Sequence, residues 1–305
     1  MPADAPMTAT PLILYVPGLK PKPPPDAHRE QLLRCLLDGM RRSDAAAARE
    51  LSAQPQAFEL ASWTYDFYGE HRDLALDRPG IEQLLAQGAA SAADIAEATS
   101  WQRRLLRTVY RAGDRLPFLI PKLADENMEL QLRDIRRYVQ NAGNAAEIAR
   151  RHLKLPLRAA AQAGRPVLLL AHSMGSMIAW DALWQLSHDG ACDGRVDLFM
   201  TLGSPLGQRY IQRRLLGAGA AGAARYPRVI ERWVNIAAAG ELTALDPTLA
   251  NDFAGMLELK LLRSIDDIEV FNWFRYNGTL NVHAEYGYLA NRETARQVAA
   301  WWRAA

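Results

Sequence analysis

The sequence predicts an α/β protein, a mostly parallel sheet covered by helices on both faces, with a helical insertion. Three observations lead there. Short apolar runs alternate with helical patterns along most of the chain. One of those runs, Val167-Leu-Leu-Leu-Ala171, passes through a sharp turn at Ser173 straight into a helical stretch. Between residues 79 and 157 the pattern is helical without a strand-like run, which is too long for one crossover in such a sheet.

The elements follow in order. Leu12-Ile-Leu-Tyr-Val16 is a short apolar run closed by Pro17-Gly18 and reads as a buried parallel strand. A proline-stiffened loop follows, and Asp26 is expected to cap a helix whose Leu32, Leu33, Leu36, Leu37 and Met40 recur at helical spacing. Phe58 to Phe67 is rich in aromatic residues and is expected to hold the next strand. Residues 79–157 are read as a helical cap beside the active-site edge, within one domain spanning 1–305. Strands resume at Val167 to Ala171, Val196 to Leu202, Arg232 to Ile236 and roughly Ile268 to Trp273, and a helix with Ala295, Val298, Ala299 and Trp302 on one face follows. The stretch 217–224, made only of glycine and alanine, is expected to be a flexible loop.

Composition narrows the function classes. Of 305 residues, 49% are hydrophobic, enough for a large core and against wholesale disorder. A formal net charge of +2 singles out no acidic partner, and no nucleic-acid binding is expected. No apolar run approaches the ~18 residues of a membrane span. The start lacks a basic segment ahead of Leu12–Val16, which is itself too short for a signal sequence. The two cysteines, Cys35 on a helix and Cys192 in a polar loop, imply neither a disulfide framework nor a metal site. A cytoplasmic location is expected.

The chemistry centres on Ala171-His-Ser173-Met-Gly175, the only small-x-Ser-x-Gly match in the chain. A strand-to-helix turn of this kind pushes a serine hydroxyl out above a sheet, and small residues on either side are needed because strand and helix pass so close. A serine that merely caps the helix would account for neither small residue. Serine needs a base within hydrogen-bond reach. Of the six histidines, His172 adjoins Ser173 and is read as packing or pocket wall, while His28, His71, His152 and His188 carry no motif. His283 follows the last strand-like run, at the carboxyl edge of the sheet, and is the expected base. The base needs an acid to fix its tautomer. Glu241 lies just beyond the strand at Arg232–Ile236, after Gly240; Asp246 is the alternative, with a competing role as helix cap before Pro247.

The order Ser173, then Glu241 or Asp246, then His283 resembles the α/β-hydrolase superfamily, and within it the lipase- and esterase-like members. The resemblance covers roughly residues 10–78 and 158–305. Val196-Asp-Leu-Phe-Met-Thr-Leu-Gly-Ser-Pro205 is similar to the strand and turn after the elbow helix, where Gly-Ser-Pro lines the site at most. Trp233-Val-Asn is similar to the strand leading to the acid, which supports Glu241 by position. Ala171 stands where the family usually has glycine, and a glutamate where aspartate is commoner. The resemblance also implies an oxyanion hole from two backbone amides. It assigns Met174 as one donor and the loop after the first core strand as the source of the other, taken here as Leu19, with Gly18 permitting close approach.

The expected function is hydrolysis of a small-molecule carboxylic ester, or a related acyl bond, through an acyl-enzyme at Ser173. His283 would act as base and Glu241 as orienting acid, with no metal or organic cofactor. A histidine base must be neutral, so activity is expected to rise with pH through about 6 to 7.5. Two alternatives remain open: acyl transfer by the same triad, and a non-catalytic binding protein of this fold. The basic segment Trp101-Gln-Arg-Arg-Leu-Leu-Arg and the following Leu116-Pro-Phe-Leu-Ile-Pro121 admit two readings. One is a lid that meets lipid; the other, which is the expectation, is a cap helix with a solvated arginine face. The leucines of the cap and Phe118 faintly favour an apolar acyl pocket.

Overall fold

The computed structural model describes residues 9–115, 126–188 and 194–305. The segment 116–121 with Phe118, and Cys192, lie outside them. The chain begins with strand β1 (Leu12–Val16), followed by helices α1 (Pro25–Ser43) and α2 (Ala45–Ala53), strand β2 (Phe58–Leu60) and helix α3 (Thr64–Tyr68). Helices α4 (Arg78–Gln87), α5 (Ala92–Ala98), α6 (Trp101–Arg115), α7 (Glu126–Val139) and α8 (Ala145–Gln162) come next. Strand β3 (Val167–His172), helix α9 (Met174–His188) and strand β4 (Val196–Leu202) carry the elbow region. After α10 (Arg209–Gln212) come β5 (Ile230–Ala238), α11 (Leu249–Asp252), α12 (Ala254–Glu258) and β6 (Ser264–Val270). A small hairpin, β7 (Arg275–Tyr276) and β8 (Thr279–Leu280), precedes α13 (Glu285–Ala290) and α14 (Arg292–Ala304).

Six strands form one sheet in the order β2-β1-β3-β4-β5-β6, every pair parallel. Successive side chains of a strand point to opposite faces, so each central strand feeds two cores. Ile13, Tyr15, Leu168, Leu170, Met200 and Ile236 face α1, α2, α13 and α14. Leu12, Leu14, Val16, Leu169, Ala171, Phe199 and Trp233 face α8 and α9. Double-sided burial explains why β1 and β3 read as unbroken apolar runs.

Several elements differ from the sequence expectation, each for a local reason. The strand expected over Phe58–Phe67 stops at Leu60. Trp63 and Phe67, one helical turn apart, pack edge to face instead, and Gly69 closes α3 at a positive φ of 78°. The strand expected at Ile268–Trp273 is β6, which ends at Val270; Trp273 leaves the sheet to donate its indole N–H to the Leu84 carbonyl. Helix α1 starts on Pro25, whose missing N–H suits a first helical position; Asp26 lies within its first turn and does not cap it. The glycine-alanine stretch at 217–224 forms defined turns, anchored where the Trp184 indole donates to the Ala224 carbonyl. The block 79–157 forms helices joined by short loops, with no strand, among its described residues. Its last helix, α8, is part of the sheet's own cover, because Ala149, Leu153 and Leu157 belong to the core under β1 and β3.

β1 is the switch point of the sheet. The chain moves outward from it to β2, then returns to its other side at β3, so the loops leaving β1 and β3 diverge and open a crevice at their carboxyl ends.

Candidate active site

Ser173 lies in that crevice, at the turn between β3 and α9. Its φ of 54° is in the left-handed region, costly for a residue with a Cβ and persistent only where the surroundings fix it. They do so from three sides. The Ser173 amide donates to the Leu202 carbonyl at 2.9 Å, continuing the β3–β4 ladder by one residue. Its own carbonyl accepts from the Ser176 hydroxyl at 2.6 Å, and Ser176 in turn pairs with Ser204 at 2.7 Å. Gly175 is tight because a Cβ there would lie 2.5 Å from the Val16 carbonyl oxygen and 2.6 Å from that of Pro17.

The loop after β1 backs directly onto the serine. A Cβ on Gly18 would fall 2.7 Å from Ser173 Cβ and 3.3 Å from its Oγ. Two aromatic residues of the α3 region hold this loop: Trp63 donates its indole N–H to the Pro17 carbonyl at 3.0 Å, and the Tyr68 hydroxyl accepts from the Lys20 amide at 3.0 Å. The Tyr68 hydroxyl in turn donates to Asp134 of α7 at 2.9 Å. Leu19, half-buried, follows Gly18 on the loop and lines the cleft. Met174 occupies the first position of α9, where backbone amides have no partner within the helix and the helix dipole favours negative charge.

His283 and Glu241 meet Ser173 from two further strand ends. His283 Nε2 lies 2.8 Å from Ser173 Oγ, and His283 Nδ1 contacts Glu241 Oε1. A carboxylate can only accept, so Nδ1 carries the proton and Nε2 presents its lone pair to the serine hydroxyl. Glu241 is only 1% exposed. Its Oε2 accepts from the Tyr288 hydroxyl, which itself takes the Ala238 amide at 2.8 Å. Burial pushes the Tyr288 hydroxyl well up, with Glu241 adding to the shift, so it stays a donor. The chain turns at Gly203, φ 57°, beneath this pair; a Cβ there would sit 2.6 Å from Glu241 Oε1 and 3.0 Å from His283 Nδ1.

Asp246 is elsewhere. Its carboxylate accepts from the Thr248 amide at 3.1 Å and the Thr248 hydroxyl at 2.6 Å, before α11. It is not the cap of that helix: Asp267 takes the Leu249 and Ala250 amides at 2.9 and 3.0 Å.

His172, expected as packing or pocket wall, lines the cleft and also holds the neighbouring histidine. Its Nε2–H donates to the His283 carbonyl at 2.8 Å, and the two rings lie 4.7 Å apart between centroids, tilted by 36°. Burial, with His283 and Lys22 nearby, pushes the His172 imidazole well down, so it stays neutral and adds no charge beside a protonated His283. His28, which carried no motif, sits behind the site in a buried set around Glu285. Glu285 accepts from Lys22 at 2.8 Å, from Tyr15 at 3.0 Å and from His28 Nε2 at 3.0 Å. Burial would raise the Glu285 carboxyl, but Lys22 and His28 outweigh it and hold it well below the usual carboxylate range.

The site opens into a cleft of about 810 Å³. Its walls include Leu19, Leu242, Phe274, Leu280 and Val282, with Lys20 and Arg103 at charged positions. That size admits a small molecule with an apolar part. Sequence reasoning missed Tyr288, Gly203, Trp63 and Tyr68. Only Gly203 carried a signal, as the glycine of Gly-Ser-Pro after β4. Among the described residues, no helix is long and apolar enough to cross a membrane. Compared with family models, curated proteins and solved structures, the chain matches none.

Proposed function

We propose that this chain is a serine hydrolase of the α/β-hydrolase superfamily that cleaves a carboxylic ester or related acyl bond. The observation that carries the reading is the continuous relay from Ser173 Oγ to His283 Nε2 at 2.8 Å, and from His283 Nδ1 to buried Glu241. The left-handed serine at the strand-to-helix turn supports it, as does the position of the relay at the switch point of the sheet.

In this mechanism His283 Nε2 takes the Ser173 proton as Oγ attacks the scissile carbonyl carbon. The carbonyl π electrons move onto oxygen, where the amides of Met174 and Leu19 stabilise the negative charge. Glu241 stays ionised and holds the imidazolium that forms. As the tetrahedral intermediate collapses, Nε2 returns the proton to the departing alcohol and the acyl group remains on Ser173. Water then repeats the sequence, releasing acid and free enzyme. Helices α5 and α6 act as the cap: a Cβ on Gly240 would clash with the Ala98 carbonyl of α5, and Arg103 of α6 reaches the Leu280 carbonyl at the cleft.

The test is a panel of p-nitrophenyl esters of increasing chain length, run beside labelling with a fluorophosphonate. Wild type is expected to hydrolyse at least the short esters and to be labelled at Ser173. Ser173→Ala should lose label and turnover on the order of 10⁴-fold or more. A wild-type protein that is folded but neither labelled nor active would identify a binding protein with a vestigial site and overturn the proposal.

A further inference from the structure

Helix α6 is seated with its polar side in. Arg103 and Arg107, one turn apart, are half-buried and donate to the Leu280 and Ala244 carbonyls. Trp101 and Leu105, also one turn apart and roughly opposite on the helix, face out, 69% and 57% exposed, with Leu106 at 40%. The expected solvated arginine face is therefore partly the packed one, and the apolar stripe is left to solvent. A stripe of large apolar side chains at the mouth of a cleft needs a partner to be favourable.

The surrounding charge selects that partner. Trp101–Arg115 holds five arginines and one aspartate. Exposed Arg104 stands beside the stripe, and α6 packs on α10, where Arg209, Arg213 and Arg214 are exposed. A second copy would meet this basic rim with its own, and three side chains offer far less than the about 1,000 Å² of a stable protein interface. Apolar residues flanked by arginines suit a surface that is apolar inside and anionic at its edge. We propose that α6 docks the cleft mouth on an anionic lipid surface, with Trp101 and Leu105 among the acyl chains and Arg104 and Arg213 against the headgroups. Docking stands apart from catalysis. Its corollary, that the ester cleaved is an amphiphile drawn from that surface, rests on the hydrolase reading.

The test is vesicle co-sedimentation of full-length Ser173→Ala protein, so that no lipid is consumed and binding is read without turnover. Fluorophosphonate labelling of wild type is measured separately, so failure of the hydrolase reading leaves the binding result intact. Vesicles of phosphatidylcholine alone are compared with vesicles carrying about a third phosphatidylserine. Binding is expected on the anionic vesicles, weakening in high salt. Trp101→Ser with Leu105→Ser should lower the partition about a hundredfold, given the apolar area withdrawn. Arg104→Glu with Arg213→Glu should lower it on the order of tenfold or more on anionic vesicles and leave phosphatidylcholine unchanged. All four positions are exposed, and melting temperatures equal to the parent's verify the fold. The proposal is overturned by absence of binding to anionic vesicles, by binding indifferent to both variants, or by a concentration-dependent dimer that Trp101→Ser with Leu105→Ser abolishes.

Discussion

Replacing Tyr288 by phenylalanine isolates what holds the acid in place. The ring is fully buried on α13, so phenylalanine fits the same space and removes only the hydroxyl. That hydroxyl donates to Glu241 Oε2 and accepts the Ala238 amide at 2.8 Å. A hydrogen bond to a charged group contributes about 1.5–3 kcal/mol. The stranded Ala238 amide keeps a longer contact of 3.4 Å to Glu241 Oε2 and recovers part of its loss. The net is a destabilisation of about 2–3 kcal/mol, or roughly 3–5 °C in Tm for a chain of this size. On activity, Oε2 anchored at Tyr288 is what leaves Oε1 aimed at His283 Nδ1. Without the anchor the carboxylate turns, and kcat should fall about 10- to 100-fold, less than on removing the acid's charge altogether. Tyr288 does not line the cleft, so KM should hold. The assay is steady-state hydrolysis of a short p-nitrophenyl ester with the rate of fluorophosphonate labelling, well below the variant's own Tm. A kcat within twofold of wild type would refute the reasoning, because Glu241 would then be positioned by its backbone alone. A raised KM with unchanged kcat would refute it too, by showing that the effect travels through the cleft wall.

Four other substitutions carry the remaining predictions. Glu241→Gln should lower kcat by about 10³–10⁴ while Asp246→Asn, which loses only its acceptance from Thr248, stays within a few-fold of wild type; the reverse ranking in an ester assay would make Asp246 the acid. Gly203→Ala adds a Cβ 2.6 Å from Glu241 Oε1 at a positive φ, and should cost about 1–2 kcal/mol of strain along with most of the activity. Equal activity in a sample of lowered Tm would show that the His283–Glu241 pair tolerates displacement. Far from the site, burial pushes the Asp181 carboxyl up to about 6, against the Leu216 amide, the Tyr138 hydroxyl and Arg150, which pull it down. Between about pH 4 and 6 the folded state then binds more protons at this group than the unfolded state, so its contribution falls as pH rises through that window. Asp181→Asn removes this dependence, and its urea stability relative to wild type should improve by on the order of 3 kcal/mol from pH 4 to pH 7. A difference flat across that range would mean that Asp181 stays ionised throughout.

What the sequence made legible is what sterics and chain order dictate. Gly175 could be recognised beside Ser173 because the crossing at Val16 and Pro17 leaves no room for a side chain, and buried Ala171 on the other side completes a pattern local enough to show in five residues. Glu241 could be found because β5, anchored by buried Trp233 and Ile236, leads into Gly240 and so delivers the next residue to the carboxyl edge. His283 was reached even though its preceding strand was misplaced, since Phe274–Leu280 folds into a hairpin at that same edge. The partners that tune these groups were not legible. Tyr288 meets Glu241 across 47 residues and Trp63 meets Pro17 across 46, and neither contact leaves a spacing rule in the chain.

Helix α6 shows where periodicity itself stops informing. The spacing of Trp101 and Leu105 against Arg103 and Arg107 marks a helix with two faces, and burial of the apolar face is the usual outcome. Which face turns inward depends on what the neighbouring surface lacks. Here that surface presents the Leu280 carbonyl, at the end of β8, and the Ala244 carbonyl, in the loop after β5; both are reached by arginine N–H donors. Leaving such carbonyls buried without donors costs about 1–3 kcal/mol each, comparable to burying a leucine. Two guanidinium donors thus balance the apolar stripe they displace, and that balance leaves Trp101 and Leu105 exposed among the described residues. Under the proposed docking an anionic lipid surface supplies the cover, and the place of α6 at the rim of the Ser173 cleft would put that surface beside the entrance.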